Sequence, residues 1–169
     1  MDILQAITTR RSIRKYTGKP VSDRDLETLL KAGFQAPSAH NRQPWHFIVL
    51  RDKSTLEKIA HFHPYAKMLP QAGCGIVVCG DSEKQTRIGF LVSDCSAAIQ
   101  NMLLAAHGIG LGAVWCGLYP EPGLMEPTSE LLSLPPGIIP IGLAVVGYKN
   151  EQKEPADRYD KSKIHIEHW

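Results

Sequence analysis

The sequence predicts a layered fold of helices packed on a β-sheet, α/β or α+β in class, in one domain spanning residues 1–169. Three observations carry this expectation. Four apolar runs of strand length, "WHFIVLR", "CGIVVCGD", "GAVWCGL" and "PIGLAVVGY", are separated by helical periodicity or by proline-rich loops. With 169 residues the chain is long enough for one core and short for two. Hydrophobic residues at 43% and charged residues at 21% lie in the range of soluble globular proteins, far from disordered or collagen-like compositions.

A first helix is expected from Asp2, with Ile3, Leu4 and Ile7 on one face, running into the basic stretch "TRRSIRKY". A second is marked by Ser22 with Asp25 three residues later, followed by Leu26, Leu29, Leu30, Gly33 and Phe34 at helical spacing, and it stops before Pro37. The loop "APSAHNRQP" leads into the first strand. Ser54 and Glu57 then read as the cap of a short helix, "TLEKIAHF", ahead of the second strand. The longest pattern follows: Ile88, Leu91, Val92, Cys95, Ile99, Met102, Leu103 and Ala106 recur at steps of three and four. Gly108 and Gly110 mark its end, and Ala97, Ala98 and Ala105 leave room for a second helix to approach closely. "PEPGLMEP" reads as a proline-punctuated loop between the last two strands. The tail alternates Ile164, His165, Ile166, Glu167, as a half-exposed strand on an extended arm would.

Several function classes are disfavoured. A net charge of +2 does not suit a protein that coats nucleic acid, so basic clusters are read as local sites and no nucleic-acid partner is expected. The N-terminus resembles no secretory signal and no segment reads as a membrane span, so no membrane role is expected. Cys74, Cys79, Cys95 and Cys116 form no C-x-x-C pair and sit in apolar stretches, which suits reduced, buried thiols in the cytoplasm. "GIGLG" from Gly108 leaves a helix and enters a strand, the reverse of a dinucleotide-binding turn. His61 and His63 lack a third ligand and read as exposed polar surface, so no metal site is expected.

What remains is a set of residues suited to an anionic, planar ligand. Arg10, Arg11 and Arg14 surround Ser12 with no acid among them, and paired guanidinium bonds are the usual chelate for phosphate. Ser38, Asn41 and Gln43 offer donors and acceptors between two prolines. Trp115 and Gly117 stand at a strand end, where a glycine lets backbone approach a flat ligand. Lys149 and Arg158 add positive charge after the last strand.

In order and spacing, "RRSIRKY", "APSAHNRQPW", "DCSAAIQNMLLAAHGIGLGAVWCG", "GYK" and "DRYDKSKIHIEHW" resemble the short members of the nitroreductase family of flavoproteins. The resemblance covers nearly the whole chain. It implies an α+β fold with a central mixed or antiparallel sheet flanked by helices, in a homodimer that exchanges its C-terminal arms. It implies flavin mononucleotide (FMN) as cofactor, its phosphate and ring edge held by Arg10, Arg11, Ser12 and Arg14, with Lys149 and Arg158 completing the phosphate site. Pro37, Ser38, Asn41 and Gln43 would reach the flavin from the other subunit, so that the sites lie at the subunit interface. Trp115, Cys116 and Gly117 would run along the ring, Cys116 as a packing residue. The implied activity is an oxidoreductase that takes hydride from NAD(P)H and reduces a small-molecule acceptor, such as a nitroaromatic or quinone, by a ping-pong mechanism. A flavin-storage or sensor protein with little turnover is the alternative. No general acid is visible. Longer relatives carry extra helices between the long helix and "VWCG", for which this sequence has no room.

Overall fold

The computed structural model describes all residues from Met1 to Trp169. It contains five α-helices and one four-stranded sheet: α1 (Ile3–Thr9), α2 (Asp23–Phe34), β1 (Trp45–Leu50), α3 (Lys53–Phe62), β2 (Cys74–Asp81), α4 (Ile88–Gly108), β3 (Gly112–Gly117), α5 (Pro122–Leu131) and β4 (Ile138–Gly147). The strands lie in the order β1-β2-β4-β3 and every neighbouring pair is antiparallel. The α+β expectation is met.

Strand alternation sends successive side chains to opposite faces, and both faces are covered. Ile76, Val78, Ala144 and Val146 meet Leu29 of α2 and Cys95, Ile99 and Met102 of α4 on one side. Val77, Cys79, Leu143 and Val145 meet Leu56 and Ile59 of α3 and Leu69 on the other. The middle strands β2 and β4 are therefore almost wholly buried, which is why their sequences run apolar without a break. Each fully buried aliphatic side chain contributes about 1.5–3 kcal/mol. Helix α4 is long and apolar enough to cross a membrane by length and composition. Here it is the core helix: Leu91, Cys95, Ala98, Ile99 and Ala106 are fully buried within the protein. Close approach to β2 requires Gly80, where a Cβ would collide with Leu91.

Four sequence expectations are corrected. Helix α3 is capped by Asp52, whose carboxylate accepts from the Thr55 N–H at 2.8 Å and its hydroxyl at 2.9 Å, and not by Ser54. The "PEPGLMEP" stretch is the start of α5, not a loop. Pro122 occupies the first turn, where no N–H is needed, and the helix tolerates Pro127 inside it. The tail is not a strand in this chain. Gln152 to Trp169 are exposed, with one short 3-10 turn at Lys161–Lys163, because no strand edge of the same chain lies beside Ile164 and Ile166 to pair with them. Finally, His63 is not surface: it is completely buried, while His61 is exposed.

The chain segment after α1 runs beside β3. Ser12 forms a parallel bridge with Ala113, the Ile13 N–H donates to the Ala113 carbonyl at 3.0 Å, and Tyr16 bridges Lys149 after β4. A Cβ at Gly112 would strike Ile13. The basic segment is thus fastened to the β3 edge of the sheet. The opposite edge, β1, is entered from the Ser38–Gln43 loop.

Candidate functional site

Arg10 is the C-cap of α1, so the helix delivers the cluster directly from its last turn. Arg10, Arg11 and Arg158 line one cavity of about 270 Å³ with Ile7, Thr8 and Tyr159. The guanidinium of Arg10 is held below its ordinary proton affinity by burial, then by the positive charges of Arg11 and Arg158. None of the side-chain nitrogens of Arg10, Arg11, Arg14, Lys149 or Arg158 has a carboxylate within 4.0 Å. Arg11 donates to the carbonyls of Glu154 at 3.1 Å and Ala156 at 3.2 Å, which orients it without neutralising it. Asp157, the acid at the cavity, accepts from the Tyr159 N–H at 3.0 Å. Three guanidinium groups beside a single carboxylate that pairs with none of them leave the cavity net positive, and the arrangement suits an anion.

Lys149 does not line that cavity. It lines an adjoining one of about 290 Å³ with Arg11, Thr9, His107 and Lys153. There His107 shares a hydrogen bond of 2.8 Å with the Thr9 hydroxyl. Burial, then Lys149, Arg10 and Arg11, push the His107 imidazole below its ordinary value. Ser12 is held by its backbone, Lys153 donating to its carbonyl at 2.7 Å.

Arg14, Trp115, Cys116 and Gly117 come together around a third cavity, of about 480 Å³, completed by Tyr65, Lys67 and Met68. The space where a Cβ of Gly117 would stand is open, so the strand end presents bare backbone. The Trp115 indole packs over Gly142, where any side chain would collide with it. The thiol of Cys116 is buried, contacts the Tyr65 carbonyl at 3.3 Å and is pushed up to about 11 by burial. Burial and a raised proton affinity suit a packing thiol.

The remaining predicted residues stand apart. Pro37, Ser38, Asn41 and Gln43 belong to the loop before β1, and Gln43 lines a separate cavity with Phe34, Trp45 and His46. His40, Asn41 and Gln43 all adopt positive φ (55°, 53° and 49°), a left-handed conformation that costs non-glycine residues about 1–3 kcal/mol each. Side chains hold it in place. The Ser38 hydroxyl accepts from the Gln43 N–H at 2.9 Å, and Asn41 accepts from the Gln43 side chain at 3.2 Å. Asp94 of α4 accepts from the Ala39 N–H at 2.9 Å, while its second oxygen is buried without a partner.

The Ser12 segment and the loop entering Trp45 lie at opposite corners of the sheet, while Gly117 stands at the other end of β3, two rows from that of Trp45. Ser12 abuts Ala113, on the row Ala113–Val146–Cys74, whereas Trp45 begins β1 on the row Gly80–Ile139. Six residues along β2 and the full width of the sheet separate them, a diagonal of about 25 Å from ordinary strand dimensions. One small ligand cannot touch both corners of one chain.

Sequence reasoning missed Asp94, a lone acid inside an apolar helical stripe, and Glu151, whose carboxylate accepts from the backbone N–H groups of Arg14 and Lys15. It also missed Lys67 and His63, whose partners are set by tertiary contacts.

These features define a layered α+β protein with a cationic cradle beside a sheet edge, of a charge that suits an anionic ligand. The nitroreductase family model matches residues 7–63 and 60–148. A protein of Methanothermobacter thermautotrophicus, provisionally named an NADH dehydrogenase/NAD(P)H nitroreductase, is 46% identical over 169 residues, covering 100% of this chain and 88% of its own. A crystal structure of a protein with the same provisional name from Parabacteroides distasonis superposes with a TM-score of 0.95 at 41% identity, covering 99% of this chain and 98% of that one. A provisionally named nitroreductase from Desulfovibrio desulfuricans, solved in complex with FMN, gives 0.87 at 33% identity, over 100% and 98%. The chain belongs to the nitroreductase family.

Proposed function

We propose that the chain is an FMN-dependent oxidoreductase that uses NAD(P)H to reduce a small acceptor such as a nitroaromatic or quinone. The observation that carries this reading is the convergence of Arg10, Arg11 and Arg158, none of them ion-paired, on one cavity, in a member of this family. A phosphate fits that cradle. Guanidinium forks bind it through paired charge-assisted hydrogen bonds, each contributing about 1.5–3 kcal/mol. The FMN complex of the 33% identical relative supports the same cofactor here, and the provisional name of the 46% identical relative supports NAD(P)H as donor.

Arg10, Arg11, Ser12 and Arg158 would hold the phosphate, with Lys149 raising the local potential from the adjoining cavity. Arg14, Trp115, Cys116 and Gly117 would border the ring, the open backbone at Gly117 permitting close approach. Bound FMN supplies two-electron chemistry, accepting from the nicotinamide and giving to the acceptor in alternating half-reactions. The protein's part is position and charge: the Arg14 guanidinium, in no ion pair, stabilises negative charge along that wall.

The working unit is a homodimer. Pro37, Ser38, Asn41 and Gln43 of the second copy would complete each site, since on its own copy that loop lies a sheet diagonal from Ser12. Ile3, Leu4 and Ile7 of α1 and Phe34 are exposed apolar residues that association would cover. The C-terminal arm, with Ile164, Ile166 and Trp169 exposed, is the segment to exchange. Residues 1–169 act as one FMN-binding domain, in the cytoplasm, where four buried, free cysteines stay reduced.

The absorption spectrum of the purified protein tests this. One FMN per chain, bleached anaerobically by NADH or NADPH and restored by an acceptor, is the expected result. Flavin that binds and never bleaches would favour storage or sensing, and protein that takes up no FMN would end the reading.

A further inference from the structure

His63 ends α3 as its C-cap, and its ring is completely buried between two segments. The Tyr65 N–H donates to Nδ1 at 3.2 Å, so that nitrogen carries no proton. Nε2, 2.9 Å from the Gly117 carbonyl, is then the donor. A single neutral tautomer satisfies both contacts. The same two segments are tied again by the Cys116 thiol and the Tyr65 carbonyl at 3.3 Å. The far end of the loop is anchored separately, Lys67 donating to the carbonyls of Ala60 at 2.8 Å and His61 at 3.1 Å at the end of α3.

Those ties decide the shape of the 480 Å³ cavity. One wall is the loop carrying Tyr65, Lys67 and Met68, the other the end of β3 with Trp115 to Gly117. Their direct bridges are the ring of His63 and the thiol of Cys116.

We infer that His63 is a positioning residue: in its neutral form it pins the Pro64–Met68 loop to the Gly117 end of β3 and fixes the width of the cavity that receives the flavin ring. This rests on the FMN reading above. A second proton on Nδ1 would face the Tyr65 N–H donor to donor and break the bridge on that side. Of the residues lining the cavity, Lys67, Arg14, Tyr65 and Cys116 can carry charge, and none is a carboxylate that would compensate an imidazolium. Burial first, and the charge of Lys67 with it, hold His63 below the ordinary imidazole value despite its bond to Gly117. The bridge is therefore intact at neutral pH and opens as pH falls through that lowered value.

The test compares intact protein, His63→Gln and His63→Leu by FMN fluorescence titration at about pH 7.5 and about pH 5. A glutamine amide can accept from the Tyr65 N–H and donate to the Gly117 carbonyl at any pH, whereas leucine can do neither. At neutral pH the Gln variant should bind FMN within about threefold of the original protein, and the Leu variant at least about tenfold more weakly. On acidification the original protein should lose affinity at least about threefold more than the Gln variant. His107 and the ligand's phosphate titrate in both and cancel in that comparison. A role confined to stability would lower the melting temperatures and leave the two pH curves parallel. Parallel curves, or a Leu variant that binds FMN normally, would overturn the inference. Should the Leu variant fail to fold, the pH comparison with the Gln variant decides alone. Absence of FMN binding by the original protein would instead sink the FMN reading and this one with it.

Discussion

Arg11 reaches across 143 residues of sequence to Glu154, its Nε donating to that residue's backbone carbonyl at 3.1 Å. A second bond, to the Ala156 carbonyl at 3.2 Å, lies two residues before Arg158. A cation of the first basic segment thus steers the segment that brings in the last one. The two form a single cradle because one guanidinium holds the backbone that leads to the other.

Arg158→Ala should weaken FMN binding more than Lys149→Ala. Arg158 shares its cavity with Arg10 and Arg11, whereas Lys149 acts from the neighbouring one. Loss of charge-assisted bonds predicts a dissociation constant raised about 10- to 100-fold for Arg158→Ala. Fluorescence titration of both variants gives the order, and the reverse order would relocate the phosphate.

Complementation checks the shared site. Arg10→Glu repels the phosphate and Asn41→Asp places a charge against the flavin, so each variant alone should be nearly inactive. In a mixed dimer one site collects both lesions and the other neither. Random refolding of equal amounts makes about half of the dimers mixed and should return roughly a quarter of the original activity. A mass-verified mixed dimer with no recovery, when the original protein refolds to full activity, would confine the site to one chain.

Gly142→Ala should destabilise the fold by about 1–3 kcal/mol, because the new methyl meets the Trp115 indole and the Ile99 side chain in a packed layer. Chemical denaturation measures it. An unchanged midpoint would mean that Trp115 moves freely.

The native protein should resist thiol reagents. Burial pushes Cys74 and Cys116 up to about 11 and Cys79 and Cys95 up to about 12, leaving at most about one thiolate in a thousand at pH 8. Ellman's reagent should find no rapidly reacting cysteine before denaturation and four after it.

Glu151→Gln should lower the melting temperature at neutral pH and leave it nearly unchanged in strong acid. The backbone N–H of Arg14 foremost, with Lys153 and Lys15 assisting, holds the Glu151 carboxyl below the ordinary range. Stability from that source is present above the unfolded carboxyl value and disappears as pH falls through the lower folded one. Melting curves across pH compare the acid limbs of the two proteins.

Long elements with a strong period were legible from the residues alone. Helix α4 shows a stripe of eight apolar positions, and β2 and β4 are apolar throughout because helices cover both their faces. Helix α5 was hidden by Pro122 and Pro127, which signal a loop unless the first falls in an opening turn. The alternation of Ile164 and Ile166 corresponds to no strand, since the tail has no paired neighbour in its own chain. In the candidate site, the basic cluster was readable because charge without acid is a property of sequence. The bond of His63 to Gly117 and that of Asp94 to Ala39 were not, since they join residues 54 and 55 positions apart through the packing of whole elements.

The placement of the Ser12 and Trp45 segments at opposite corners of one sheet has a consequence for where reactivity can arise. Under the proposed assembly a newly made chain folds with half of each of two sites and all of neither. Chemistry then begins only at the second-order event of pairing, and dilution below the dimer dissociation constant should silence the protein without unfolding it. Abundance itself becomes a threshold, and an orphan chain cannot leak electrons to oxygen while it waits for its counterpart.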